Sequence, residues 1–148
     1  MITIDQIKKL REETDLSIGE CQKALREAGG DIKKAKEILM KKGEILAKKR
    51  SEKETGQGVI ETYVHPGKRI GAMVELRCES DFVARSPDFQ KLAHELCLQI
   101  AAISSKETEL FKQPWIRDET KNIKELIDEY IAKFGENIIL KRFIRYDL

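Results

Sequence analysis

The sequence predicts an α+β protein, with a bundle of three short helices followed by a core in which a three-stranded antiparallel sheet is covered by helices. In the first 42 residues, helix-capping side chains recur three times, each ahead of apolar residues spaced three or four apart. From Gly58 the apolar period changes to two, which is typical of a sheet with one buried face. Helical spacing then returns twice before a last alternating segment, so the core is predicted to have the order β-β-α-α-β.

The three N-terminal helices each have a recognisable start. Residues 3–6 and 17–20 match the capping box, in which a hydroxyl and a carboxyl or amide group satisfy free backbone donors at a helix entry. Asp31 is expected to cap the third helix and Gly43 to end it. We therefore predict a three-helix domain over residues 1–43.

Residues 44–57 are predicted to form a charged linker, and their composition also allows a helix. Basic side chains alternate with acidic ones in the run 48–53, and two glycines follow. Such a run could contact RNA, but a solvated connector is the commoner meaning.

Residues 58–148 are predicted to form the core domain. Strands are expected over residues 59–65 and 70–78, because apolar side chains alternate in the second of these and the pair 66–67 (Pro-Gly) supplies the turn between them. A β-hairpin with one buried face follows from this pattern.

Two helices and a third strand complete the predicted core. Ser86 caps the first helix, whose apolar stripe begins at Phe89. Residues 104–119 lack a period and are expected to be irregular. A second helix, with a capping box at its start and a glycine at its end, is expected over residues 122–135, and the closing strand over 138–146.

Composition limits the function. The 28 basic and 26 acidic residues give a net charge of +2, too weak a field for a dedicated nucleic-acid binder, so no specific nucleic-acid partner is expected. No apolar run approaches the roughly 20 residues of a membrane span and no leader pattern opens the chain, which predicts a cytoplasmic protein without a membrane partner. Cys21, Cys78 and Cys97 are expected to be free, buried thiols.

No catalytic constellation is recognisable, so neither an enzyme nor a cofactor is predicted. His94 and Cys97 lie three apart on a predicted helix, but two ligands are too few for a zinc site, and a metal-dependent enzyme is the least favoured alternative. The glycines of residues 56–58 are too close together for a phosphate-binding loop and precede a strand instead of a helix.

Residues 78–85 fit neither the strand before them nor the helix after them. Phe82 and Val83 fall in a connection, with Asp81 and Arg85 on either side. The aromatic side chain either folds back onto the sheet or is offered to a partner, and the pattern alone leaves both possibilities open.

Three separated segments resemble the elongation factor Ts family, whose members are guanine nucleotide exchange factors of elongation factor Tu. Residues 80–85, Ser-Asp-Phe-Val-Ala-Arg, are similar to the family's T-D-F-V-A motif. Residues 10–14 followed by 21–25 resemble its N-terminal signature, and residues 135–138, Gly-Glu-Asn-Ile, resemble its closing strand. The segments occur in the family's order.

The chain also departs from that family. Ser80 stands where threonine is usual, Gln22 where lysine is common, and residues 15–19 differ from the family's glycine- and methionine-rich turn. Many members carry a long helical segment between the core helix and the closing motif, whereas here Pro114 follows Ile103 within a dozen residues. Accessory or dimerising elements are expected to be reduced, and the oligomeric state is left open.

The resemblance implies a ubiquitin-associated-like fold for the three-helix domain and a mechanism for the motif. In the family, the phenylalanine wedges between two helices of the partner's nucleotide-binding domain and disturbs its magnesium site. Phe82 would be that wedge, acting on elongation factor Tu. The implied contact residues are Ser80, Asp81, Phe82 and Val83 in the motif and Arg11, Ile18 and Lys23 on the N-terminal helices.

The main alternative is an adaptor associated with RNA or the ribosome. It would use the three-helix unit as a docking module and residues 41–53 as a basic arm. This hypothesis leaves Phe82 without a role.

Overall fold

The computed structural model describes residues 2–104 and 107–148, and it confirms the predicted α+β class. The helices are α1 (Ile4–Thr14), α2 (Ile18–Glu27), α3 (Ile32–Arg50), α4 (Asp81–Ala84), α5 (Pro87–Ala102), α6 (Glu107–Leu110) and α7 (Ile123–Phe134). The strands are β1 (Gln57–Val64), β2 (Ile70–Cys78), β3 (Pro114–Trp115), β4 (Asp118–Asn122) and β5 (Ile138–Asp147). Within the described ranges no helix is both long and apolar enough to cross a bilayer.

The N-terminal bundle, formed by α1, α2 and the first half of α3, has the expected caps. The hydroxyls of Thr3 and Ser17 accept hydrogen bonds from the backbone N–H groups of Gln6 and Glu20 at 3.2 Å, and both capping boxes are complete. The carboxylate of Asp31 caps α3 in the same way. The helices enclose one hydrophobic cluster, formed by Leu10, Cys21, Ala24, Leu25, Ala35 and Leu39.

Helix α3 does not end at Gly43, contrary to the sequence expectation. It continues to Arg50, so the segment 44–57 begins as helix. A methyl group added at Gly43 would lie 3.6 Å from atoms of α7, an ordinary van der Waals contact, so the two helices pass close to each other here but leave room for an alanine. Ala47, one turn further along, is buried in the hydrophobic core of the second half of the chain. Helix α3 therefore contributes to both hydrophobic clusters.

The core sheet has the predicted three strands, in the order β1-β2-β5, and all neighbours are antiparallel. Helix α5 packs on β1 and β2, because its apolar stripe from Phe89 to Ala101 meets the inward side chains of the strands. Alternate residues of β2 are buried, which is the pattern expected for a sheet with one covered face. The opposite face leaves large apolar side chains exposed, namely Ile60, Val64, Met73, Ile144 and Tyr146.

Residues 104–119, expected to be irregular, contain α6 and most of a small hairpin made of β3 and β4; residues 105 and 106 lie outside the described part of the chain. The fully buried side chain of Gln99 holds this hairpin. Its amide nitrogen donates to the side-chain oxygen of Gln113 at 3.0 Å and to the carbonyl of Pro114 at 3.1 Å, and its oxygen accepts from the N–H of Ile116 at 2.9 Å. The buried side-chain amide of Gln99 thus provides hydrogen-bond partners for backbone groups of the hairpin that the two-residue strand leaves unpaired.

Candidate partner-binding site

Residues 80–85, here called the Phe82 turn, form a single helical turn between β2 and α5. Ser80 caps it, with its hydroxyl oxygen accepting the N–H of Val83 at 3.2 Å. Phe82 is 86% exposed, whereas Val83 is 5% exposed and lies in the core with Ala84. The turn is therefore anchored by its inward residues and presents the phenylalanine ring outward.

The turn places the four motif residues, 80–83, in two different environments. Asp81 and Phe82 are accessible to a partner. Ser80 is half-buried and engaged as the cap, and the buried side chain of Val83 has no surface for a partner contact in this conformation. The partner contact expected of Val83 stays a prediction; its side chain faces the core in the free protein, because opposite sides of one helical turn face the core and the solvent.

Glu136, in the loop between α7 and β5, braces the Phe82 turn from the far end of the sequence. One carboxylate oxygen accepts hydrogen bonds from the backbone N–H groups of Glu79 and Ser80, at 3.1 and 2.9 Å. The other accepts from the hydroxyl of Ser80 at 2.6 Å. A single carboxylate therefore fixes the entry to the turn through three bonds, and bonds to an ionised acceptor are among the stronger ones.

The same loop is tied to the C-terminal end of α3. Arg50 donates to the carbonyl of Gly135 and lies 3.5 Å from the Glu79 carboxylate, which in turn accepts the N–H of Asn137. The buried amide of Asn137 donates to the carbonyls of Ser51 at 3.4 Å and Lys53 at 2.9 Å. Polar contacts thus run without a break from α3 through the loop to the turn.

Charge at the turn is balanced locally. Asp81 and Arg85 form an exposed ion pair at 2.8 Å, one helical turn apart and on either side of Phe82 in sequence. Cys78, just before the turn, donates its thiol hydrogen to the carbonyl of Ser80 at 3.1 Å. Burial, reinforced by the negative charge of Glu136, raises the pKa of this thiol to about 11. The thiol is therefore protonated at neutral pH and can remain a donor.

The N-terminal residues singled out by the resemblance lie on the surface. Arg11 and Lys23 are exposed, and Ile18, at the start of α2, is 55% exposed. Lys133 of α7 connects this region to α5, the helix that follows the Phe82 turn. Its ammonium nitrogen lies 3.1 Å from the carboxylate of Asp15, at the α1–α2 corner, and 3.0 Å from that of Asp88, at the start of α5. One cation thus holds the corner of the bundle beside the helix that follows the turn.

Among the residues in the described ranges, no group of three His, Cys, Asp or Glu side chains could hold a metal ion. His94 and Cys97, the pair weighed from the sequence, have other partners. The His94 ring makes an edge contact with Tyr63, and the thiol of Cys97 donates to the carbonyl of Glu61 at 3.4 Å. Burial raises the pKa of Cys97 to about 12, so the thiol is protonated at neutral pH and can remain a hydrogen-bond donor.

Sequence reasoning missed the residues that brace the turn. Glu136 and Asn137 lie more than 50 positions from the groups they contact, and no spacing rule connects them. The only signal was that both fall in the segment 135–138, which resembled a family motif, but that resemblance gave neither residue a role.

Fold and site together define a class of protein, a small α+β protein that leaves a braced aromatic side chain and a helical bundle exposed at its surface. Aromatic side chains are among those enriched at protein interfaces.

Comparison with known proteins identifies the family. The family model described as Elongation factor TS matches residues 79–148, from the Phe82 turn to the end of the chain. Elongation factor Ts of Thermotoga petrophila is 40% identical over 191 aligned positions, covering 99% of this chain and 96% of the relative. Those of Coprothermobacter proteolyticus and Moorella thermoacetica are each 36% identical; the alignments cover 99% and 100% of this chain and 98% and 96% of the relatives. The chain belongs to the elongation factor Ts family.

The alignments also bear on the expected shortening. The alignment with the Thermotoga petrophila relative runs over 191 positions, whereas this chain has 148 residues, so at least 43 positions of the relative have no counterpart here. The chain is thus shorter than this relative, and the loss of accessory or dimerising elements stays a prediction. The location of the shortening, between Ile103 and Pro114, stays a prediction as well.

Proposed function

We propose that this protein is a guanine nucleotide exchange factor that acts on elongation factor Tu during translation elongation in the cytoplasm. The observation that carries the proposal is Phe82, a phenylalanine left 86% exposed on a turn that is anchored in the core and braced by Glu136. Membership of the elongation factor Ts family supports the same function. The protein would act by binding its partner and would make or break no covalent bond.

In the proposed mechanism, Phe82 inserts between two helices of the partner's nucleotide-binding domain. The shift disturbs the partner's magnesium site, so GDP is held less tightly. A ligand shifts an equilibrium only by its differential affinity for the two states, so the factor binds the nucleotide-free partner better than the GDP-bound one. By the same linkage, GDP weakens binding of the factor.

Phe82 cannot supply the whole effect. Accelerating GDP release about a thousandfold requires lowering the barrier by about 4 kcal/mol. Burying one phenylalanine side chain contributes about 1.5–3 kcal/mol. We propose that exposed residues of the N-terminal bundle supply the remainder, namely Arg11, Ile18 and Lys23.

The four motif residues take two roles in this proposal. Asp81 and Phe82 contact the partner, because they are exposed. Ser80 and Val83 position them, one as the helix cap and the other as a buried anchor. Replacing Val83 with alanine is therefore expected to affect exchange through the geometry of the turn.

The direct experiment follows the release of fluorescent GDP from purified elongation factor Tu. Addition of this chain is expected to accelerate release, and the Phe82→Ala variant is expected to lose most of that effect. Asp5→Ala, an exposed change at the start of α1 away from the proposed contacts, is a control that should leave the rate unchanged. A release rate that the wild-type chain does not change would contradict the proposed function.

A further inference from the structure

Glu136 has no ion-pair partner within the described residues, and its carboxylate bonds to the first residue of the Phe82 turn and to the residue before it. Its three hydrogen bonds go to the N–H of Glu79 and to the N–H and hydroxyl of Ser80. The hydroxyl of Ser80 is also the cap of the turn, because its oxygen accepts the N–H of Val83. The carboxylate thus holds the capping group itself in place.

This support matters because the turn has little stability of its own. A helical segment of four residues lies far below the length at which helices form independently, since nucleation is unfavourable. The Phe82 ring is 86% exposed and has almost no packing that could orient it. Its direction is therefore set by the backbone of the turn, and the backbone is set by Val83, Ala84 and the bonds to Glu136.

We infer that Glu136 is a positioning residue for Phe82. It fixes the turn in the free protein, so that the ring meets the partner without first being ordered. Pre-organisation of this kind removes an entropic cost from the insertion of the ring, the step that the proposed mechanism couples to GDP release, rather than from the initial docking of the bundle. The consequence for nucleotide exchange rests on the proposed function, whereas the consequence for the order of the turn does not.

The loop that carries Glu136 is also bound to α3. Arg50 donates to the carbonyl of Gly135, and the Asn137 amide donates to the carbonyls of Ser51 and Lys53. The carboxylate therefore lies on the polar connection between the helix of the N-terminal bundle and the Phe82 turn. Its position is fixed from the side of the bundle as well as from the sheet.

Three variants test the inference in the full-length protein. Glu136→Ala removes all three acceptor contacts, whereas Glu136→Gln keeps one oxygen that can still accept both N–H groups. The matched control is Glu125→Ala, because Glu125 likewise accepts a backbone N–H, that of Asn122, at a helix start but lies in α7. The control is expected to lower stability without changing exchange.

Two measurements are made on each variant. Amide hydrogen exchange of Val83 and Arg85 in the free protein reports the order of the turn, since both N–H groups bond within it. GDP release at increasing factor concentration gives the maximal rate and the half-saturating concentration. For Glu136→Ala we expect amide exchange about tenfold faster and a maximal release rate about tenfold lower, a factor that corresponds to about 1.4 kcal/mol. The half-saturating concentration should change less, and Glu136→Gln should recover much of both losses.

The outcomes separate the inference from the proposed function. If Phe82→Ala reduces GDP release but Glu136→Ala leaves both amide exchange and release at the wild-type level, the inference is wrong and the function stands. If the wild-type chain does not accelerate release at all, the proposed function fails, and amide exchange alone decides about Glu136. A Glu136→Ala variant that merely melts earlier, with unchanged exchange of the two amides, would also overturn the positioning role.

Discussion

Replacing Phe82 with alanine should separate exchange activity from stability. The side chain is 86% exposed, so its removal creates no cavity and should change the free energy of unfolding by less than about 0.5 kcal/mol. If its burial in the partner contributes about 1.5–3 kcal/mol to the transition state of release, the exchange rate should fall about 10- to 150-fold. The melting temperature should stay within about 2 °C of the wild type.

Phe89→Ala is the control for a core phenylalanine. Phe89 is fully buried under the sheet, seven residues after Phe82. Truncating a core phenylalanine costs about 3–5 kcal/mol, which for a chain of this length lowers the melting temperature by about 6–20 °C. Melting temperature and release of fluorescent GDP are measured on the same preparations. The reasoning is refuted if Phe82→Ala melts as low as Phe89→Ala, or if it melts normally and exchanges at the wild-type rate.

Four other predictions use different parts of the molecule. If residues 41–53 form only a charged helix end and connector, RNA binding measured by fluorescence anisotropy should be weak and lost by about 0.2 M salt; specific binding that survives would favour the adaptor hypothesis. Residues 1–43 contain the whole N-terminal hydrophobic cluster, so this piece alone should be helical by circular dichroism and bind elongation factor Tu weakly without stimulating exchange; full activity would place the mechanism in the wrong half of the chain. Gly43→Ala should stabilise the protein by about 0.5–1 kcal/mol in thermal unfolding, because the added methyl group lies 3.6 Å from α7 and alanine favours helix; a lower melting temperature would show that α3 and α7 are too close. Cys78 and Cys97, with pKa values raised to about 11 and about 12, should react slowly with thiol reagents at pH 8 and quickly once the chain is unfolded; fast labelling of the native protein would contradict their burial.

Local chemistry explains which parts of the fold the sequence could predict. The caps at Thr3, Ser17 and Asn122 were predictable because each side chain bonds to a backbone group three residues away. The end of α7 at Gly135 was likewise predictable, because helices often end at a residue in the left-handed conformation, which glycine adopts without strain. These elements depend on short stretches of sequence, and their bounds match within a few residues.

The errors came from contacts between distant parts of the chain. Gly43 resembles a helix stop when read alone, but it lies inside α3, at a point where that helix packs against α7, about 85 residues further on. The hairpin of β3 and β4 is too short for an alternating pattern and depends on the buried side chain of Gln99. In the candidate site, the exposure of Phe82 was one of two open possibilities, and the burial of Val83 beside it could not be read from a four-residue turn.

The continuity of α3 makes the spacing between the two proposed contact surfaces depend on helical phase. From Ala35, in the N-terminal cluster, to Arg50, at the loop that braces the turn, the helix rises about 22 Å. One residue inserted between Leu39 and Ala47 would move the bundle by only about 1.5 Å but rotate it by about 100° about the helix axis. Small insertions would therefore change the direction in which Ile18 faces relative to Phe82, and among them an insertion of about seven residues, close to two full turns, would come nearest to restoring it. The bundle would then stand about 10 Å further out, so a partner would have to match both a distance and an angle.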